Sequence, residues 1–219
     1  MPYHGINGGN LDIDIRLIGV NHYDPYGRML IGEYLKREKE KGFCPDCLAA
    51  EWDSVLFHRI RKQREYLFNK LLDERYTTNR QEAKMIADAM GFEADSHLPF
   101  FPDLPILWLD EGREYDEMCI TFYADDRYKV LFKNRREKDN KFDIESTRQS
   151  LLTKPSPDYI PGDRDNNFAS RVIRSIECGK KKIICIVGKS HINLQIEGSF
   201  GSLLNEYGIN CSTYDTTCQ

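Results

Sequence analysis

Two apolar segments of this sequence end with the same spacing, a glycine followed three residues later by a histidine. Residues 19–22 read Gly-Val-Asn-His, and residues 188–191 read Gly-Lys-Ser-His. A glycine at such a point lets the backbone turn sharply or approach a ligand closely. A third apolar segment ends at residues 50–53, Ala-Glu-Trp-Asp, which adds the carboxylate of Glu51. Two imidazoles and a carboxylate that converge can bind a divalent metal, or can orient and deprotonate a water.

Each of these residues also has a purely structural interpretation. A histidine after a strand is usually a loop residue that bonds to a nearby carbonyl. Glu51 could simply cap the helix that follows it. The shared spacing favours a functional interpretation, because one structural explanation would have to account for both His22 and His191.

The segments that carry these residues have the lengths and patterns of an α/β fold. Residues 11–22 alternate and then become continuously apolar, which predicts a strand, and a helix begins near Pro25. A second short strand covers 47–50, so strand, helix and strand form a βαβ unit with parallel strands. The apolar run 183–187 predicts another strand. Because the carboxyl ends of parallel strands meet at one edge of a sheet, we expect the two histidines and the glutamate to lie together there.

The remaining segments predict further elements of the same domain. The predicted helices cover 54–75, capped by Ser54, 79–90, capped by Asn79, about 166–178 and about 199–207, and the predicted strands cover 104–110 and about 209–215. Residues 113–155 are highly charged, and we predict a helical insertion there. The expected architecture is a single α/β domain over residues 1–219, with a mostly parallel central sheet flanked by helices.

An arginine and an aspartate open the late helix. Arg164 and Asp165 follow a proline-rich connector at 155–162. The planar fork of an arginine suits a carboxylate or a developing oxyanion, which makes Arg164 a candidate electrophilic partner. Asp165 would orient Arg164 or cap the helix, and a surface ion pair is the structural alternative.

Composition and cysteine usage limit the partners and the compartment. The net charge of −4 argues against nucleic acid as a partner, and no apolar run approaches the ~18 residues of a membrane-spanning helix. Seven cysteines, an odd number, and a first segment without signal-peptide features predict reduced thiols in the cytoplasm. Cys44 and Cys47 lack a second pair with zinc spacing, so we interpret them as structural. The expected partner is a small-molecule or peptide substrate.

The order of the motifs resembles the TraB/PrgY/GumN–TIKI superfamily, whose relatives include erythromycin esterase and ChaN-like haem-binding lipoproteins. The matching stretches are 18–22, 45–53, 163–173 and 183–191. The segment Asp-Arg-Asp-Asn-Asn-Phe-Ala from residue 163 is similar to the Glu-Arg-Asp-x-x-Met-Ala segment of that family. The sequence departs from it at Asp163, where glutamate is common, and at Phe168, where methionine is common.

This resemblance implies an erythromycin esterase/ChaN-like fold with hydrolytic chemistry at the carboxyl edge of the sheet. TIKI-type members resemble metal-dependent proteases, erythromycin esterases are thought to use the first histidine as a base without an obligatory metal, and ChaN-like members bind haem or iron. The absence of a membrane tail or export signal in this sequence argues against secreted-protease and membrane-receptor roles.

We therefore predict a hydrolase of peptide or ester bonds, assisted by a divalent metal such as manganese, cobalt or zinc. The predicted catalytic residues are His22, Glu51, Arg164, Asp165 and His191, and the predicted metal ligands are His22, Glu51 and His191. The alternative is a non-catalytic module of the same fold that binds a ligand, a metal or haem. A carboxylate or carbonyl behind each histidine discriminates between them, because its absence favours the binding module.

Overall fold

A five-stranded, all-parallel sheet flanked by helices forms the described part of the chain. The computed structural model describes residues 12–22, 24, 26–73, 79–88, 91–111 and 159–218. The predicted helical insertion around 113–155 lies outside these residues. The predicted α/β class with a parallel sheet is confirmed by the strand pairing.

The strands lie close to where the apolar runs predict them. In chain order they are β1 (Asp14–Val20), β2 (Cys47–Ala50), β3 (Ile106–Trp108), β4 (Lys182–Gly188) and β5 (Cys211–Asp215). Their order across the sheet is β3-β2-β4-β1-β5, so β4 lies between β1 and β2. This order places the ends of the three strands that carry the predicted site side by side.

The helices cover the sheet and connect its strands. They are α1 (Gly27–Glu40), α2 (Ser54–Asp73), α3 (Arg80–Asp88), α4 (Asp163–Glu177) and α5 (Phe200–Glu206), and short 3-10 turns cover Phe92–Ala94, Lys189–Ile192 and Thr216–Cys218. None of the helices in the described ranges is long and apolar enough to cross a membrane.

Helix capping explains where two of these helices begin. The predicted cap Ser54 is wrong, because the Asp53 carboxylate accepts hydrogen bonds from the backbone N–H groups of Val55 and Leu56. Asn79 does cap α3, through bonds from the next turn.

Alternating side chains of β4 divide the core into two layers. Ile183, Cys185 and Val187 belong to a cluster that includes buried residues of α4 and α5. Ile184 and Ile186 belong to another cluster, which contains buried residues of α1. Burying one such aliphatic side chain contributes ~1.5–3 kcal/mol, so both layers stabilise the sheet under its carboxyl edge.

The cysteine pair at 44 and 47 lies at a structural junction. Cys44 is exposed and Cys47 is buried. Between them, the Asp46 carboxylate accepts hydrogen bonds from the backbone of Lys181 and Lys182 and ties the turn before β2 to the start of β4. These contacts support the structural interpretation of the pair.

Candidate active site

The two predicted histidines and the predicted glutamate converge over Gly188, the last residue of β4. A methyl group added to Gly188 would lie 2.9 Å from Nε2 of His22, 3.4 Å from Oε2 of Glu51 and 3.5 Å from Cδ2 of His191. The backbone of Gly188 is in an ordinary conformation, with φ −54°. A glycine is therefore required here for space, because a side chain would displace the three groups from one another.

Glu51 is the buried centre of this cluster. Its Oε2 accepts a hydrogen bond from the Gly188 N–H at 2.5 Å and lies 3.1 Å from Nε2 of His22. Its Oε1 lies 2.8 Å from Nη2 of Arg164 and 3.9 Å from Nε2 of His191. Burial raises the pKa of Glu51, but the adjacent His22 and Arg164 cations outweigh it and hold the pKa well below its usual range. The carboxylate is ionised at neutral pH.

His22 lies between two carboxylates. Besides Glu51, its Nδ1 lies 2.5 Å from Oε1 of Glu93, a fully buried residue whose Oε2 accepts a hydrogen bond from the Trp52 indole at 2.8 Å. Burial lowers the pKa of His22, but Glu51 and Glu93 outweigh it and raise that pKa well above the ordinary value of 6.5. At neutral pH His22 is an imidazolium that donates a proton toward each carboxylate.

His191 has a carboxylate within hydrogen-bonding distance on one side only. Its Nδ1 lies 2.8 Å from Oδ1 of Asp165, which also accepts hydrogen bonds from the Tyr159 hydroxyl and from the Phe200 N–H. A carboxylate accepts hydrogen bonds, so the nitrogen that faces Asp165 carries a proton, and Nε2 makes no direct hydrogen bond to Glu51. That Nε2 is the atom on the side of Glu51.

The hydrogen bonds around Asp165 keep it ionised and keep Tyr159 protonated. Burial raises the pKa of Asp165, but donors on His191 and Tyr159 outweigh it and lower that pKa below its usual value. Burial and the adjacent Asp165 raise the pKa of the Tyr159 phenol. Tyr159 therefore acts as a neutral donor to Asp165 and helps to fix the His191 ring.

Arg164 is oriented by Asp110. Its Nε and Nη2 both donate to the Asp110 carboxylate, and Nη2 also reaches Glu51. Asp165, which is a candidate to orient Arg164, instead contacts His191 and accepts a hydrogen bond from the Gly162 N–H, which caps α4. The predicted capping role of Asp165 is therefore seen, and its predicted contact with Arg164 is replaced by Asp110.

A cleft of about 1140 Å³ opens beside these residues, between α4 and the end of β3. Its lining includes Tyr159, Arg164, Asp165 and His191 at the sheet edge and continues along α4 as far as Cys178. The His191–Asp165 pair and the Arg164 guanidinium therefore border a space large enough for a small-molecule or peptide segment.

The observed hydrogen bonds of the predicted ligand set do not suit a metal. Within the described ranges, no group of three or more His, Cys, Asp or Glu side chains is arranged to hold a metal ion. Both ring nitrogens of His22 face carboxylates, and Glu51 is already bonded to Gly188 and Arg164. A divalent cation placed between them would have to separate His22 from Glu51 and would be repelled by the Arg164 guanidinium. Metal assistance by His22, Glu51 and His191 stays a prediction.

The structure adds Glu93, Asp110 and Tyr159 to the candidate site. Asp110 ends the segment predicted as the third strand, so the rule that ligands bind at carboxyl ends of strands could have found it. Glu93 lies in a 3-10 turn, and Tyr159 lies in the proline-rich connector. Neither segment has a periodic pattern that would reveal a functional residue.

Comparisons of the chain with protein-family models, with curated proteins and with solved structures found no match.

Proposed function

We propose that this protein hydrolyses an ester or peptide bond, with His191 as the general base. The observation that carries the proposal is the His191–Asp165 pair at the edge of a cleft, with the Arg164 guanidinium beside it. This pairing holds one ring nitrogen of His191 with a carboxylate and leaves the other to accept a proton. The resemblance to the TraB/PrgY/GumN–TIKI superfamily, with its erythromycin esterase relatives, implies the same class of reaction.

In the proposed mechanism, Nε2 of His191 removes a proton from a water that attacks the substrate carbonyl. The 3.9 Å between this nitrogen and Oε1 of Glu51 exceeds a direct hydrogen bond, so Nε2 is not bonded to that carboxylate, and His191 itself lines the cleft from which the water would come. Asp165 stabilises the imidazolium that forms on His191. That imidazolium then gives its proton to the leaving oxygen or nitrogen, so the base is regenerated.

Arg164 stabilises the negative charge that develops on the carbonyl oxygen. Asp110 and Glu51 hold the guanidinium in place, so little reorganisation is needed when the charge appears. His22 has a different task in this proposal. As an imidazolium bonded to Glu51 and Glu93, it positions the Glu51 carboxylate, and it is not in a state to accept a proton.

The test is single-turnover hydrolysis of a panel of aryl esters and peptides by the full chain. We expect His191→Gln to lower the rate by a factor of ~10²–10⁴, the usual contribution of a positioned acid–base group. His58→Gln, which changes a histidine on the exposed side of α2, is the matched control and should keep the wild-type rate.

Two results would contradict the proposal. Equal rates for wild type and His191→Gln would remove His191 from the mechanism. Failure to hydrolyse any substrate, with or without added manganese, cobalt or zinc, would favour the non-catalytic binding module. The carboxylates behind both histidines, Glu93 and Asp165, argue against that alternative.

A further inference from the structure

We infer that the cleft binds an elongated acyl substrate whose far end carries an anionic group, held by Arg171 and Arg174. This inference rests on the proposed hydrolase function and names its substrate class. It depends on three observations: where the arginines of α4 lie along the cleft, which partners they already have, and how far they are from the proposed chemistry.

Three arginines of α4 line the cleft. Arg164, Arg171 and Arg174 all contribute to its wall. The separations of seven and ten residues are close to two and three helical turns, so these side chains share one face of the helix. At 1.5 Å per residue, Arg171 and Arg174 lie roughly 10 and 15 Å along the axis from Arg164.

The far arginines are less neutralised than Arg164. The Arg164 guanidinium is bonded to two buried carboxylates, Glu51 and Asp110. Arg171 donates to the backbone carbonyl of Glu111, and its Nη1 lies 3.9 Å from the Glu111 carboxylate, which is half exposed. The exposed Arg174 guanidinium makes no hydrogen bond or ion pair with another residue in the ranges that the structure describes.

Most acidic residues of the described cleft wall lie at the end near Arg164 and His191, away from Arg171 and Arg174. Asp110 and Asp165 are bonded to Arg164 and His191, and Asp163 lies at the start of α4. Among the described residues of the wall, Glu111 is the one acidic residue that pairs with a far arginine, Arg171. The proposed catalytic groups therefore lie at one end of the cleft. At the other end there is an excess of positive charge, where a carboxylate or phosphate would form charge-assisted hydrogen bonds.

The distance between the two ends sets the length of the substrate. An extended acyl chain advances ~1.3 Å per carbon, given carbon–carbon bonds of about 1.5 Å. A separation of roughly 10–15 Å along the helix then corresponds to about eight to twelve carbons, or three to five extended peptide residues. A four-carbon acyl group, about 4 Å long, is well short of this separation.

The test compares aryl esters of linear diacids with four, eight and twelve carbons. Each ester is paired with one whose far carboxyl is methylated, and the twelve-carbon member is also made with a terminal phosphate. For wild type we expect kcat/KM to be about tenfold higher for the eight- and twelve-carbon anions than for their neutral partners, the scale of one charge-assisted hydrogen bond. The four-carbon pair should show no such preference.

The double variant Arg171→Gln, Arg174→Gln should lose this preference through a higher KM for the anionic esters. Arg61→Gln, Lys62→Gln removes two positive charges from the exposed side of α2 and should keep it. Preference for either anion over the neutral ester supports the inference, and the better anion shows whether the natural group is a carboxylate or a phosphate. Equal rates for anionic and neutral esters of every length would overturn it.

A calorimetric titration with the twelve-carbon diacid separates this inference from the proposed function. Binding that the Arg171→Gln, Arg174→Gln variant weakens about tenfold, without hydrolysis of any ester, would uphold the anion site and contradict the hydrolase. Hydrolysis without any preference for anionic esters would uphold the hydrolase and contradict the anion site. Absence of diacid binding together with absence of turnover would contradict both.

Discussion

The two histidines that follow a glycine by three residues occupy very different surroundings at the same sheet edge. His22 has a carboxylate at each ring nitrogen, Glu51 at 3.1 Å and Glu93 at 2.5 Å. His191 has Asp165 at 2.8 Å from Nδ1, but its Nε2 is 3.9 Å from Glu51. One spacing in the sequence thus produces a histidine held in its charged form and a histidine with one nitrogen available.

The difference shows that the partners of a histidine, more than its motif, decide its chemistry. Two adjacent carboxylates stabilise the imidazolium, which raises the pKa of His22 and prevents it from serving as a base at neutral pH. A single carboxylate fixes the ring and its tautomer without occupying the second nitrogen. This difference is the reason for proposing His191 as the base and His22 as a positioning residue.

The largest expected effect comes from replacing the Asp165 carboxylate, which contacts His191, by its amide. Asp165→Asn can donate to Nδ1 of His191 and so favour the tautomer with a protonated Nε2, which should lower kcat by ~10³–10⁴. Glu93→Gln is the matched change behind His22, which does not act as a base in the proposed mechanism, and should lower kcat far less. Single-turnover rates of both variants, with urea unfolding to verify their folding, measure the contrast. Equal losses in kcat would contradict the assignment of separate roles.

A smaller loss is expected when Arg164 keeps its charge but loses its planar fork. A lysine cannot bond to Asp110 through two nitrogens, so Arg164→Lys should lower kcat by ~10² or more, the scale of losing one oxyanion donor. Arg28→Lys, a change at a partly exposed arginine of α1 that pairs with Asp88 and Asp95, is the control. Unchanged turnover in Arg164→Lys would remove the arginine from the mechanism.

The contacts of His22 should contribute to the free energy of unfolding. Glu93 is fully buried and accepts hydrogen bonds from His22 and Trp52. Removal of its charge in Glu93→Gln should lower the free energy of unfolding by ~1–3 kcal/mol, the cost of weakening bonds to a buried charged group. Urea unfolding of wild type and variant measures this difference. A variant as stable as wild type would show that the His22–Glu93 contact contributes little.

The destabilisation caused by Glu93→Gln should also depend on pH. A histidine with a raised folded-state pKa stabilises the fold fully below its unfolded value of about 6.5, and this stabilisation is lost as the pH rises through the folded value. The difference in unfolding free energy between wild type and Glu93→Gln should therefore be largest near pH 6.5 and should shrink at higher pH. A difference that grows with pH would contradict the raised pKa of His22.

The smallest effect is expected from metal removal. Protein purified without a histidine tag and dialysed against a chelator should keep its single-turnover rate, because the proposed base, His191, and the proposed oxyanion donor, Arg164, belong to the chain. Loss of activity that manganese, cobalt or zinc restores would instead confirm the predicted metal assistance by His22, Glu51 and His191. The metal content of the same samples completes the measurement.

The strands could be predicted from the sequence more fully than the hydrogen-bond partners of the site residues. Continuous apolar runs and glycines marked β1, β2 and β4, because buried parallel strands need apolar side chains on both faces. The carboxyl-end rule then placed His22, Glu51 and His191 together, although 140 residues separate the last two.

The partners of these residues could not be predicted in the same way. Glu93 and Tyr159 come from a 3-10 turn and a connector, whose positions depend on how the helices pack. Asp110, and not Asp165, contacts Arg164 for a similar reason. Arg164 and Asp165 are neighbours in sequence, so their side chains point to different sides of the helix. Local patterns specify elements, whereas contacts between distant segments specify the protonation states that the chemistry needs.

The central claim is that two carboxylates hold His22 as an imidazolium, whereas Asp165 fixes the His191 ring through Nδ1, and nitrogen NMR of the chain labelled in its histidine rings tests it most directly. His22→Gln and His191→Gln assign the two sets of signals. At a pH above 6.5, the ordinary pKa of histidine, we expect His22 to show protons on both ring nitrogens. In its neutral form, His191 should show a proton on Nδ1 and none on Nε2. A neutral His22 under these conditions, or a neutral His191 with its proton on Nε2, would contradict the account.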